Sequence, residues 1–204
     1  MKYLTTIILI CFFIHGKSQN FNWITTAGYS DQVDIFYGAI EIERDLNGDI
    51  YCFDVVSGNQ NSDGVEIPIE SAGLNTIFYK YDSIGHFLSG YMIGGNFDFC
   101  AAEIDDYNNL YVLGNATNNL FIYQGATYNL NQGNFKQVLL KFNSNGQLIW
   151  YKETGYSGLP RGVLLEYSQG EVFFQTEFTS VCSIDTSGEL INTLPFFYQA
   201  YQNQ

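Results

Sequence analysis

Short runs dominated by Tyr, Phe, Val and Ile recur along this chain and set its secondary structure: IYCFDVV (50–56), TIFYKYD (76–82), LYVLGN (110–115), VLLKF (138–142) and EVFFQTEF (171–178). Asn, Asp and Gly bound them, so each reads as a strand between tight turns. The stretches Asn47–Asp49 and Asn108–Leu110 supply residues that tolerate the positive φ a hairpin turn needs. Past the amino-terminal apolar run, no window of helical length keeps a 3.6-residue period, and the chain reads as all-β with antiparallel hairpins.

The strands recur in order. KYDSIGHFLS (80–89), KFNSNGQLIW (141–150) and SIDTSGELIN (183–192) share a polar turn closed by Gly, and Gly85 and Gly146 stand 61 residues apart. IERDLNGDIYCF (42–53) aligns with EIDDYNNLYVL (103–113) at an offset of 60, with EYSQGEVFFQ (166–175) as a weaker third copy. Segments ending at Gly28, Gly94 and Gly155 (WITTAG, SGYMIG, WYKETG) recur likewise. The repeats run over about 22–88, 89–149 and 150–192, and the third lacks an internal insertion. Such units predict β-propeller-like blades of antiparallel strands, and about three of them make a partial propeller, because closed rings have about four to eight. Ring completion then requires further blades or another chain.

The repeat resembles the family of seven-bladed β-propeller (SBBP-type) repeats of exported bacterial proteins. Trp23, Thr25, Gly28, Asp45, Gly48, Tyr51, Gly73, Phe78, Lys80, Tyr81, Asp82, Ser83 and Gly85 carry the likeness. It covers residues 20–192 and departs at Ser89 and Asn192, where Trp is expected. The resemblance implies an exported binding or scaffolding propeller with no shared catalytic residues. KFNSNGQLIW also resembles the endings of quinone-dependent dehydrogenase repeats, where the Gly and Trp are structural, so no quinone cofactor is expected.

The chain opens with Lys2, an apolar run from Tyr3 to Ile14, and a Gly16-Lys17-Ser18 site, which reads as an export signal over residues 1–18. The run is shorter than the ~20 residues a membrane span needs, so no span is expected once it is removed. The remaining domain, 19–204, holds six basic and 21 acidic residues, a formal charge of 6 − 21 = −15. That balance argues against nucleic acid as a partner, since phosphate binding needs Lys and Arg. Cys52, Cys100 and Cys182 remain in the domain, odd in number and among apolar neighbours, and read as buried free thiols.

Candidate chemistry is sparse. Asn59, Asn61, Asp63 and Glu70 sit at the spacing of a calcium loop, but Pro68 and the strand-like flanks favour repeat scaffolding. Glu41 with Glu43, and Glu103 with Asp105, alternate with isoleucines, so each pair is expected on one face of its strand, lining a channel if those strands are innermost. His86 stands in a turn without a nucleophile or acid at recognisable spacing. Tyr123, Tyr151 and Tyr156 could stack on sugars but sit where packing between sheets is expected. The expectation is a non-enzymatic exported module that binds a protein or carbohydrate, with no cofactor. The alternative is a fragment of an exported polysaccharide-acting enzyme that uses carboxylates on the inner strands.

Overall fold

The computed structural model describes residues 41–131, 136–154, 164–176 and 180–195. The expected export signal over residues 1–18, the segment ending at Gly28, Tyr156 and the terminal FFYQAYQNQ lie outside the described residues. Within them the protein is all-β, with no helix and no closed barrel or propeller. The strands are β1 (Glu41–Arg44), β2 (Ile50–Val56), β3 (Gln60–Ser62), β4 (Val65–Ile67), β5 (Asn75–Tyr81), β6 (Phe87–Gly94), β7 (Phe97–Ile104) and β8 (Leu110–Ala116). Then follow β9 (Leu120–Tyr123), β10 (Ala126–Asn129), β11 (Lys136–Phe142), β12 (Leu148–Glu153), β13 (Leu165–Ser168), β14 (Glu171–Thr176), β15 (Ser180–Asp185) and β16 (Leu190–Pro195).

Three antiparallel meanders follow one another along the chain. β1-β2-β5-β6 form the first, β7-β8-β11-β12 the second and β13-β14-β15-β16 the third. The first two sheets end with the strands that carry Gly94 and Trp150 and the third with β16, so the sheets span 41–94, 97–153 and 165–195, a different phase from the sequence repeat. A register shift between the third and fourth strands falls at the same place in all three sheets, at Lys80/Tyr81, Lys141/Phe142 and Ser183/Ile184.

The first two sheets carry an insertion between their second and third strands. In the first, the β3–β4 hairpin turns on Asp63 and Gly64, both at positive φ, and lays Ile67 against Gly90 of β6. In the second, the β9–β10 hairpin crosses to the neighbouring sheet, where Tyr123 and Ile122 pair with Ile93 and Gly94 of β6 and extend that sheet to six strands. The third sheet has no insertion, and only residues 177–179 separate β14 from β15.

Alternation explains the packing. In β2, Tyr51, Phe53 and Val55 are buried while the residues between them are half-buried. β5 and β8 are buried along their whole length, as strands covered on both faces must be. One core lies between the first and second sheets, where Phe53 stacks on Phe99 at 4.9 Å and Phe78 meets Phe142 at 5.3 Å. A second lies between the second and third sheets around Tyr111, Leu113, Leu139, Val172 and Phe174. The third covers the other face of the first sheet, where Ile67 joins Ile77, Tyr79, Tyr81 and Met92. Truncating any of the buried Phe residues to Ala would cost about 3–5 kcal/mol.

Candidate functional site

Five turns share one construction. Asp45, Asp82, Asp105, Asn143 and Asp185 each open a turn in which the Oδ1 atom accepts the backbone N–H groups two and four residues on, at 2.8 to 3.0 Å. A fourth residue at positive φ closes each turn: Gly48, Gly85, Asn108, Gly146 and Gly188. The side-chain oxygen does locally what a ladder partner does in a strand, which is why Asp and Asn recur at these positions. KFNSNGQLIW is therefore a turn between β11 and β12, opened by Asn143 and closed by Gly146.

The turns also fasten neighbouring sheets. Lys80, on β5, ion-pairs with Asp49 at 3.0 Å and Asp45 at 3.4 Å, and donates to the Ser144 carbonyl in the second sheet's turn at 3.3 Å. Lys141, on β11, repeats the arrangement one sheet further on, with Asp105 at 3.5 Å and the Thr186 carbonyl at 2.8 Å. Each ammonium lies over a tyrosine ring, Tyr51 at 5.1 Å and Tyr111 at 5.0 Å. In the third sheet Ser183 stands where the lysine would be, and a tight Gln169–Gly170 turn replaces the aspartate turn, so both halves of the pair are missing together.

The two lysines differ in one neighbour. At Lys80 burial works against the charge, yet Tyr51, Asp49 and Asp45 outweigh it and hold its pKa above the ordinary value. At Lys141 burial prevails over Asp105, and the pKa is lowered. The residue at the position of Asp49 is Asn109, which has no charge to offer and donates its amide to Asp105 instead.

Fourth-strand aromatics close the same seams. Tyr91 lies over Gly146, where a Cβ would stand 2.2 Å from its ring, and donates to the Asn145 carbonyl at 2.6 Å. Trp150 packs over Gly188, donates from Nε1 to the Thr186 carbonyl at 3.3 Å, and meets Tyr111 edge-on. Tyr123 is buried and donates to the Gly146 carbonyl, and Tyr151 packs edge-on to Phe121.

The first strands lie side by side, β1 against β7 and β7 against β13. Glu41, Glu43 and Glu103 are half-buried where these strands meet. The Glu41 carboxylate accepts the Ala102 N–H across the seam at 2.7 Å, and Glu103 accepts from Ile104 at 3.1 Å. Burial pushes the Glu43 carboxyl up to about 7, helped by the charges of Glu103 and Glu41. Burial also raises Glu41, against the Ala102 N–H and with the charge of Glu103. Glu103 is raised by burial against the Ile104 and Tyr167 N–H groups, and the Glu166 charge on β13 adds to the rise. Asp105 does not join them: it is buried in its turn, where its Oδ2 takes the Tyr111 hydroxyl at 3.1 Å and faces Lys141. The surface thus offers three carboxylates, Glu41 and Glu43 on one side of a seam and Glu103 on the other, that could accept the hydroxyls of a sugar.

The calcium-spaced residues do not converge. Asn59 binds Glu66 and the Ile69 N–H, Asn61 takes the Gly64 N–H, Asp63 the Phe87 N–H, and Glu70 the Gly125 N–H of the β9–β10 turn. Among the described residues no three His, Cys, Asp or Glu side chains are placed to hold a metal. His86 is exposed and bonds Asp82 through Nδ1 at 3.0 Å. Cys52, Cys100 and Cys182 carry thiols and form no disulfide, with Cys100 buried and the other two half-buried. The seam lysines and the tyrosine over Gly146 were not identified from sequence as functional, although the Lys two residues before Asp82 and before Asn143 was a visible signal.

Compared with known proteins, the chain matches no family model and no curated protein.

Proposed function

We propose that this chain is an exported, non-enzymatic binding or scaffolding module whose meanders are β-propeller blades of the seven-bladed repeat type. Three in-phase meanders, with their first strands side by side and a lysine reaching from each of the first two sheets to the turn of the next, support that reading. Three blades do not close a ring, so further blades or another chain complete it. The observation that carries the binding function is the cluster of Glu41, Glu43 and Glu103 on adjoining first strands, half-buried, with Glu41 bonded across the seam to the Ala102 N–H and the Glu103 charge close enough to raise both Glu41 and Glu43. A ligand rich in hydroxyl groups suits it, since sugar hydroxyls donate to carboxylates without a full charge having to be buried.

Calorimetric titration of the mature protein with a panel of soluble neutral oligosaccharides tests this. Binding that is lost in Glu43→Gln and Glu103→Gln is the expected result; binding indifferent to both changes, or none across the panel, removes the carbohydrate assignment. Glu43 near pH 7 beside two further carboxylates is also what a polysaccharide-acting enzyme fragment would need for a general acid. Release of reducing ends from the same oligosaccharides, abolished by Glu43→Gln, would replace the binding reading with that one.

A further inference from the structure

Two of the five side-chain-capped turns end in Asn-Gly, at Asn47–Gly48 and Asn145–Gly146. That dipeptide can close on itself, because glycine has no side chain to keep its backbone nitrogen from the Cγ of the asparagine before it. In both turns the asparagine is exposed, and the glycine N–H donates to the carbonyl three residues back at 2.9 Å. The two turns start alike, and their surroundings separate them.

Asn145–Gly146 is clamped. Tyr91 donates to the Asn145 carbonyl at 2.6 Å, Tyr123 donates to the Gly146 carbonyl, and the Tyr91 ring lies over Gly146. Ring closure has to turn the peptide between the two residues, which pulls its carbonyl off the Tyr91 hydroxyl. At Gly48 a cation stands where Gly146 has the ring: a Cβ there would lie 3.1 Å from Arg44 Nη2 and 3.3 Å from Ser83 Cβ. Arg44 is exposed, so its guanidinium can follow the peptide as it turns and face the oxygen on which negative charge gathers.

We propose that Asn47 is a site of self-modification, at which the Gly48 nitrogen displaces the side-chain amide with Arg44 beside the reacting atoms, while the tyrosine clamp protects Asn145. Solvent takes the Gly48 amide proton, the nitrogen bonds to Asn47 Cγ, and the Cγ–Nδ2 bond breaks with release of ammonia. Water then opens the cyclic imide at either carbonyl and leaves aspartate or isoaspartate, with no change of oxidation state. The imide takes the Gly48 N–H away from the Asp45 carbonyl, and isoaspartate adds a methylene to the backbone between Asp45 and Asp49, the two carboxylates that hold Lys80. The change loosens the seam between the first and second sheets and leaves the Lys141 seam as it was.

Peptide mapping by mass spectrometry, with isoaspartate counted by enzymatic methylation, follows both sites in residues 19–204 held at mildly alkaline pH. Asn47 is expected to convert about tenfold or more faster than Asn145, the worth of the two tyrosine hydrogen bonds. Arg44→Met is expected to slow Asn47 by about threefold, the effect of one exposed charge, and to leave Asn145 unchanged. Tyr91→Leu is expected to speed Asn145 and leave Asn47 unchanged; should it fail to fold, Tyr91→Phe keeps the ring over Gly146 and removes only the hydroxyl. In urea the two sites are expected to convert alike, since the fold alone separates them. Equal rates in the folded protein, an Asn47 rate indifferent to Arg44→Met, or a gap between the sites that persists in urea would overturn the proposal.

Discussion

Lys141→Met keeps the side-chain stem over Tyr111 and removes only the ammonium that joins Asp105 to the Thr186 carbonyl. The lysine side chain is 7 % exposed and that of Asp105 fully buried. Breaking a buried pair on one side strands a charge and costs about 3–5 kcal/mol. Asp105 keeps the Tyr107 and Asn109 N–H groups, the Asn109 amide and the Tyr111 hydroxyl, which places the loss near the lower end, about 3 kcal/mol. Urea denaturation followed by circular dichroism measures it as a fall in midpoint at constant slope. Adding Asp105→Asn removes the stranded charge, so the double variant is expected to be more stable than Lys141→Met alone, by about 1 kcal/mol. A Lys141→Met protein within about 0.5 kcal/mol of the parent would refute the reasoning, because that is the range of an ordinary surface substitution.

Other consequences follow from the same contacts. Gly146→Ala meets both a positive φ of 73° and the Tyr91 ring, whereas Gly170→Ala meets a φ of 88° and open space; the first is expected to cost about 3 kcal/mol and the second about 1, read from thermal melts, and equal losses would deny Tyr91 its part in the seam. Asp49→Asn makes the Lys80 site resemble that of Lys141 and is expected to lose about 1 kcal/mol, since Asp49 is partly exposed; an unchanged urea midpoint would show that Asp45 alone holds the lysine. The raised carboxyl of Glu43 means that the folded state holds a proton that the unfolded state has released between the ordinary value of 4.5 and about 7. Stability is therefore highest below that window and falls as pH rises through it. Glu43→Gln should flatten the profile and add about 1 kcal/mol at pH 8, after discounting for solvent screening of a half-exposed group; a pH profile identical to the parent's would count against the cluster.

Much of this architecture was legible because its signals are local. An Asp or Asn followed three residues later by Gly or Asn needs only its own backbone to make a turn, and that pattern is visible wherever it occurs. Alternation in 50–56 likewise names Tyr51, Phe53 and Val55 as the inward residues of β2. The seams were not legible in the same way. Lys80 meets Asp45 and Asp49 from another strand, and its partner in the next sheet is the carbonyl of Ser144, a group that every residue carries and no sequence pattern marks. The crossing of β9 to β6 is equally silent, since its aromatics suit any core. Alternation groups Asp105 with Glu103, but the strand ends at Ile104 and the turn begins at Asp105, so the two-residue period does not reach it. Its side chain caps the turn and faces Lys141, while Glu103 stays with the glutamates of β1.

The central claim is that lysine–turn contacts and shared aromatic cores make the three sheets one cooperative unit. Scanning calorimetry of residues 19–204 tests it most directly, by comparing the heat absorbed with the van't Hoff enthalpy of the same transition. The account predicts one transition in which the two enthalpies agree, for the parent and, at a lower midpoint, for Lys80→Met and Lys141→Met. Separate transitions in the parent protein, or a calorimetric enthalpy well above the van't Hoff value, would show that the sheets melt independently and would contradict it.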